Sequence, residues 1–193
     1  MNVQLISPAS PAYRGIFDLS LISPSREVTV VITPGRETEK TTDLIAALAL
    51  RGSLCLMAGS DWIPAYALTR SIRRSTPRVQ ETLNGLRLAR AFTCYQMREL
   101  LESAPPDRDP LLVLDIMNTF FDQDIAVETR ARVFSQCCQQ LQRLAVYRPV
   151  AVIAQQKLPA SDYEQFYALL ASITNRILHV GAAPEATLQP LLF

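Results

Sequence analysis

Apolar residues along this chain fall into two rhythms, short continuous runs and longer stripes spaced by three and four. Val28 to Thr33 is a β-branched run that reads as a strand, and Pro34-Gly35 ends it. Thr42 to Leu50 carries Leu44, Ile45 and Leu48 at helical spacing and closes at Arg51-Gly52. Ser53 to Ala58 is a second apolar strand, followed by Gly59-Ser60-Asp61 and a helix from Ile63 to Arg74 with Pro64 in its first turn. Leu86 to Ala91 reads as a third strand, and Thr93 as the cap of a helix running to about Glu102. Pro105-Pro106 then breaks the chain. Leu111 to Asp115 is apolar up to its last residue, the pattern of a strand covered on both faces. A long helix is expected over 126–146, with Val127, Ala131, Phe134, Cys138, Leu141 and Ala145 as its buried stripe. Val150 to Ala154, Tyr163 to Ala171 and Arg176 to Val180 complete the series as strand, helix and strand. This alternation predicts an α/β fold: a three-layer sandwich around a mostly parallel central sheet.

Length and composition sharpen that picture. A chain of 193 residues fits one domain over 28–193, preceded by an irregular lead-in over 1–27 that holds Pro8, Pro11 and Pro24. Hydrophobic residues make up 49% and charged residues 19%, a balance in keeping with some apolar surface covered by a partner in a homo- or hetero-oligomer. The net charge of +1 lacks the strong excess of base that obliges nucleic-acid binding. Cys55, Cys94, Cys137 and Cys138 fit no metal spacing and read as small buried residues in a reducing compartment. The first residues lack the basic-then-apolar order of a signal peptide, and no run of about 18 apolar residues predicts a membrane span. A cytoplasmic or nucleoid-associated protein is expected.

Candidate chemistry gathers where strands end, because ligands of open parallel sheets bind beyond the carboxyl ends of the strands. The stretch Pro34-Gly35-Arg36-Glu37-Thr38-Glu39-Lys40-Thr41-Thr42 lies between a strand and a helix, where a phosphate loop belongs. Such a loop needs glycine, four residues, then Gly-Lys-Ser/Thr: the lysine reaches the outer phosphates and the hydroxyl binds magnesium. Lys40 and Thr41 stand in those two places, whereas Pro34 and Glu39 replace the glycines. Glu39 brings bulk and negative charge to the spot where amides would cradle an anion. Asp115 ends its strand where a carboxylate can hold magnesium through water, although a solvent-facing or helix-capping aspartate is the plainer reading. Asp61 follows the second strand, at the place of a base that polarises water, or simply caps the next helix. Gln155 ends the strand begun at Val150, where an amide can sense a terminal phosphate or satisfy nearby backbone groups. Arg70, Arg73 and Arg74 share one helix face and could meet phosphates of DNA, or form a solvated surface, with Arg78 beyond Pro77.

Taken in order, these stretches resemble a RecA-type ATPase core, a P-loop NTPase-like fold, and in particular the RadA-like recombinases and their paralogues. The resemblance spans about residues 28–180. Its most specific part is Leu86-Arg87-Leu88-Ala89-Arg90-Ala91-Phe92-Thr93, similar to the family's Ala-Arg-Ala-Phe stretch. Leu111 to Asp115 resembles the Walker B strand, and Val150 to Gln155 the strand ending in a nucleotide-sensing glutamine. The position of the family's catalytic glutamate matches Ser60, one place before Asp61. The family binds ATP between subunits and assembles on DNA in homologous recombination, and its paralogues often act in small hetero-complexes, some without ATPase activity. The departures at Pro34, Glu39 and Ser60 point away from catalysis. The resemblance therefore implies a pseudo-ATPase that binds or scaffolds a RecA-family paralogue or another repair protein, with no cofactor expected. The alternatives are a weakly active Mg-ATPase using Lys40, Thr41, Asp61 and Asp115, or a KaiC-like regulator that does not touch DNA.

Overall fold

The computed structural model describes residues 2–6, 27–33, 35, 37–59, 63–155, 164–174 and 176–180. The elements follow in the order β1 (Asn2–Ile6), β2 (Val28–Thr33), α1 (Thr38–Ala49), β3 (Leu54–Ala58), α2 (Ala65–Ser75), α3 (Val79–Asn84), β4 (Leu86–Arg90) and α4 (Cys94–Ser103). Then come β5 (Leu111–Leu114), a 3-10 helix (Ile116–Phe120), α5 (Val127–Ala145), β6 (Val150–Gln155), α6 (Glu164–Ser172) and β7 (Arg176–Val180). All seven strands lie in one sheet in the order β1-β7-β2-β6-β5-β3-β4, and each pairing is parallel.

The strands are buried on both faces, which explains their unbroken apolar runs. Alternate residues feed two separate cores. Val28, Val30, Ile32, Val113 and Val152 face a core completed by α4, α5 and α6. Val31, Leu56, Leu112, Leu114 and Ile153 face the other, completed by Leu44, Ile45 and Leu48 of α1 and Leu68 and Ile72 of α2. The expected three-layer α/β sandwich with a parallel sheet is therefore present.

Chain direction explains which helix lies on which face. From β2 to β4 the strands advance toward the β4 edge, and from β5 to β7 they return toward β1. With right-handed crossovers that reversal moves the helices from one face to the other. The neighbours β2 and β6 consequently send their connections to opposite faces, α1 on one and α6 on the other. Their carboxyl ends part there, which makes a topological switch point.

Several local expectations need correction. The lead-in was expected to be irregular, yet Asn2–Ile6 forms edge strand β1, paired with β7 from Asn2↔Arg176 to Ile6↔Val180. Only five residues are involved, and their partner lies at the far end of the chain, so no local signal marks them. Helix α1 begins at Thr38, four residues before the expected Thr42, because its first turn is polar and continues the same helix. Pro64 is the N-cap of α2, not a member of its first turn. Helix α3 was not anticipated; none of its residues is fully buried, so it carries little apolar stripe to read. In α5 the stripe holds at Phe134, Cys138, Leu141 and Ala145, but Val127, the first residue of the helix, is exposed. Val133, Cys137 and Leu144 are buried instead.

Three phenylalanines hold the helices of one face together. Phe120 of the 3-10 helix and Phe134 of α5 meet edge-to-face with centroids 4.8 Å apart, and Phe134 meets Phe166 of α6 at 5.0 Å. All three are fully buried. Such rings contribute about 0.5–1.5 kcal/mol per pair beyond their area burial. They pin the 3-10 helix after β5 to the helix after β6, one of the two strands that meet at the switch point.

Candidate functional site

The carboxyl ends of β2, β6, β5 and β3 form a row. Thr33 lies in register with Gln155, and Leu114 with both Ile153 and Ala58, so Asp115 and Gly59 continue the line. Thr33 is buried, and its hydroxyl donates to the Gly35 carbonyl at 2.7 Å, turning the chain directly after β2. Gln155 donates from Nε2 to Oδ2 of Asp115 at 3.3 Å, and its carbonyl accepts from the Tyr167 hydroxyl at 3.1 Å. The site's two strand-end polar residues are thus joined across neighbouring strands.

Asp115 departs from the solvent-facing reading, with only 7% of its surface exposed. It does precede a helix, but no side-chain capping bond forms. Its backbone is left-handed at φ 50, ψ 38, a conformation that aspartate and asparagine tolerate better than most residues. The amide donates to the Ile153 carbonyl at 2.8 Å, and the carbonyl accepts from the Asn118 amide at 2.9 Å. Asn118 also donates from Nδ2 to the Gly59 carbonyl at 3.0 Å. Gly59 is required by this close approach, since a Cβ there would overlap the Asp115 carbonyl oxygen. The sequence reading missed Thr33, Gly59 and Tyr167 as parts of the site. The glycine was visible at a strand end, but the backbone it must accommodate comes from another strand.

The start of α1 differs from a working phosphate loop. Glu37 is the N-cap, so Lys40 and Thr41 are already the third and fourth helical residues. The Thr41 amide donates to the Glu37 carbonyl at 2.8 Å, the first bond of the helix, and Thr41 is 1% exposed. Lys40 Nζ lies 3.1 Å from Glu37 Oε2. Glu39 is exposed in the same first turn, where its charge complements the positive helix end that an anion would otherwise meet. Two carboxylates therefore compete with any phosphate at this turn.

The other expected residues divide. Arg70, Arg73 and Arg74 are exposed together on α2, and Arg70 and Arg74 line a cleft of about 350 Å³ with Thr38, Glu39 and Asp43. Asp61, with Pro34, Ser60 and Trp62, lies outside the described residues. Cys94, Cys137 and Cys138 are buried free thiols and Cys55 is half-buried. Burial pushes all four thiols up, Cys138 to about 12. Among the described residues no group of three or more His, Cys, Asp and Glu could hold a metal ion, and no helix is long and apolar enough to cross a membrane. No protein-family model matches the chain, and no curated protein matches it.

Proposed function

We propose that this chain is a RecA-type core of the RadA-like branch that has kept its sheet and lost its phosphate chemistry. It serves as a binding or scaffold subunit in DNA recombination and repair, in complex with a RecA-family paralogue or another repair protein. The observation that carries the reading is the first turn of α1, where Lys40 is engaged by Glu37, the Thr41 amide is closed by the Glu37 carbonyl and Glu39 adds a second negative charge. Supporting it, the switch point falls between the strand that precedes this turn and the strand that ends in Gln155. A fold alone does not set a function, so the reading stands on the altered turn within that frame.

One observation favours the weakly active ATPase instead. Asp115 and Gln155 touch at 3.3 Å, as a magnesium-holding carboxylate and a phosphate-sensing amide would. Calorimetric titration with Mg-ATP separates the two. The wild type should show no saturable binding at micromolar protein, and the double change of Pro34 and Glu39 to glycine should raise nucleotide affinity at least about tenfold, a gain of about 1.4 kcal/mol. Low-micromolar binding by the wild type would overturn the pseudo-ATPase reading. Co-purification from the native cell tests the other half. A recombinase, nuclease or helicase partner supports the repair role, and a signalling partner without DNA enzymes would favour the KaiC-like regulator.

A further inference from the structure

Helix α2 shows two very different sides. Leu68 and Ile72 face the core, while Tyr66, Arg70, Arg73 and Arg74, at spacings of four, three and one, form its outer face. Tyr66 is 81% exposed, the largest value among the described large hydrophobic residues. The helix contains no acidic residue, and Arg70 and Arg74 stand one turn apart as a like-charge pair. Such like-charge pairs disfavour a helix. The favourable position of Arg73 and Arg74 in the last turn offsets part of this.

Two further arginines continue the ridge. Arg78 follows α2 as the N-cap of α3, and it lines one cleft with Arg51 at the end of α1. All five guanidinium groups belong to exposed residues, and none forms an ion pair with a described carboxylate. The nearest carboxylates are otherwise disposed: Asp43 accepts from the Ser71 hydroxyl at 2.9 Å, and Glu39 and Glu81 lie in the clefts without pairing to these arginines. By contrast Arg87 and Arg148, elsewhere in the sheet, are both ion-paired. The α2 ridge thus gathers cationic charge in a protein whose net charge is only +1.

We propose that the outer face of α2 is a contact track for single-stranded nucleic acid. Arg70, Arg73 and Arg74 meet phosphates, Arg78 and Arg51 extend the track, and Tyr66 stacks on a base at its start. Phosphates supply the opposite charge the ridge lacks, and guanidinium groups bind them with several donors each. The aromatic ring decides between strands. An exposed tyrosine beside a basic track offers a stacking platform to an unpaired base, whereas duplex bases are already stacked on their neighbours. From Tyr66 to Arg74 the ridge rises about 12 Å, eight steps of about 1.5 Å, which suits a few nucleotides. This inference deepens the repair reading by naming a ligand, and it rests on that reading for its biological setting; Arg70 and Arg74 share a cleft with Thr38 and Glu39 of the nucleotide turn, whereas Tyr66, Arg73, Arg78 and Arg51 do not line it.

The test uses the full chain and a fluorescent oligothymidylate of about 20 nucleotides, with a duplex of equal length, followed by anisotropy at two salt concentrations. The single strand should bind more tightly than the duplex. Removing Arg70, Arg73 and Arg74 together (to Ala) should weaken single-strand binding at least tenfold and reduce the salt slope by about two, at roughly 0.7 per phosphate. Tyr66→Ala should cost roughly tenfold on the single strand and leave duplex binding unchanged, and Tyr66→Phe should restore it. Arg132→Ala, an exposed arginine on the opposite layer, should change nothing. Equal affinity for duplex and single strand, an unaffected triple variant, or preference for an acidic polypeptide over the oligonucleotide would each overturn the proposal. Such a failure leaves the Mg-ATP and co-purification results untouched, so the two readings fall separately.

Discussion

The two ends of the sheet are built on opposite plans. At the amino ends of β3 to β6 the turns are clamped by charge. The Arg148 side chain is fully buried, ion-paired with Asp107, and donates to the Pro105 carbonyl at 2.7 Å. Arg87 bridges Asp107 at 2.8 Å and Asp109 at 2.7 Å, and hydrogen bonding to Asp107 raises its pKa. Backbone bonds from Leu111 to Pro149 and from Cys55 to Pro110, both 2.9 Å, tie the same turns to the strands. At the carboxyl ends the polar residues instead meet through single hydrogen bonds, Thr33 to Gly35, Gln155 to Asp115 and Asn118 to Gly59. The comparison teaches that the charged clamp and the candidate site occupy different ends, as expected when loops beyond the strand tips are left to vary for function.

The largest test of this contrast is at the clamp. Arg148→Ala leaves Asp107 without its buried partner and opens a void beneath the Pro105 turn. Breaking a buried pair costs about 3–5 kcal/mol when it strands a charge; Asp107 is partly exposed and keeps Arg87 at 2.8 Å, so the loss here lies at the lower end. Urea melts should show a loss of about 3 kcal/mol. A change under about 1 kcal/mol would mean that the amino end is not the stabilising end.

At the opposite end the same measurement should give less. Asp115→Ala removes an acceptor for Gln155 and puts a side chain poorly suited to left-handed backbone at φ 50, for a loss of about 1–2 kcal/mol. Asp115→Gly should lose less than Asp115→Ala, because glycine accepts that backbone freely. If both variants melt as far below wild type as Arg148→Ala, the strand tips carry as much stability as the clamp and the contrast fails.

A third test sits between the two ends, in the core. Cys138 is held up to about 12 by burial, above its ordinary value near 9 in the unfolded chain. A group whose folded pKa is raised leaves stability intact below the unfolded pKa and removes it as pH climbs toward the folded one. Stability should therefore be flat up to about pH 8.5 and fall by about 1.4 kcal/mol by pH 10 through Cys138 alone. Cys138→Ala should flatten that decline, though Cys137, also pushed up by burial, keeps part of it. A wild-type curve with no alkaline slope would show that these thiols reach water.

Much of the fold was legible in the chain because its central strands bury both faces. Val28–Thr33, Leu111–Leu114 and Val150–Gln155 announce themselves as apolar runs, and Phe134 to Ala145 as a stripe, without knowledge of their neighbours. Thr93 was legible too: it caps α4 in a full capping box with Gln96, since both partners lie within four residues. Elements lacking such local signals escaped, β1 because its partner β7 is far along the chain and α3 because no face of it is buried.

For the candidate site the division is sharper. The sequence by itself determined that Lys40 and Thr41 follow a strand beside two acidic residues, and that Asp115 and Gln155 end strands. Only the tertiary structure decided that β6 lies between β2 and β5, which brings Gln155 against Asp115 and opens the switch point beside Thr33. It also decided that Asp115 is buried and left-handed. The physical reason is range. Apolar periodicity and caps act within a few residues, whereas strand order is set by crossovers that bring together residues 40 and more positions apart.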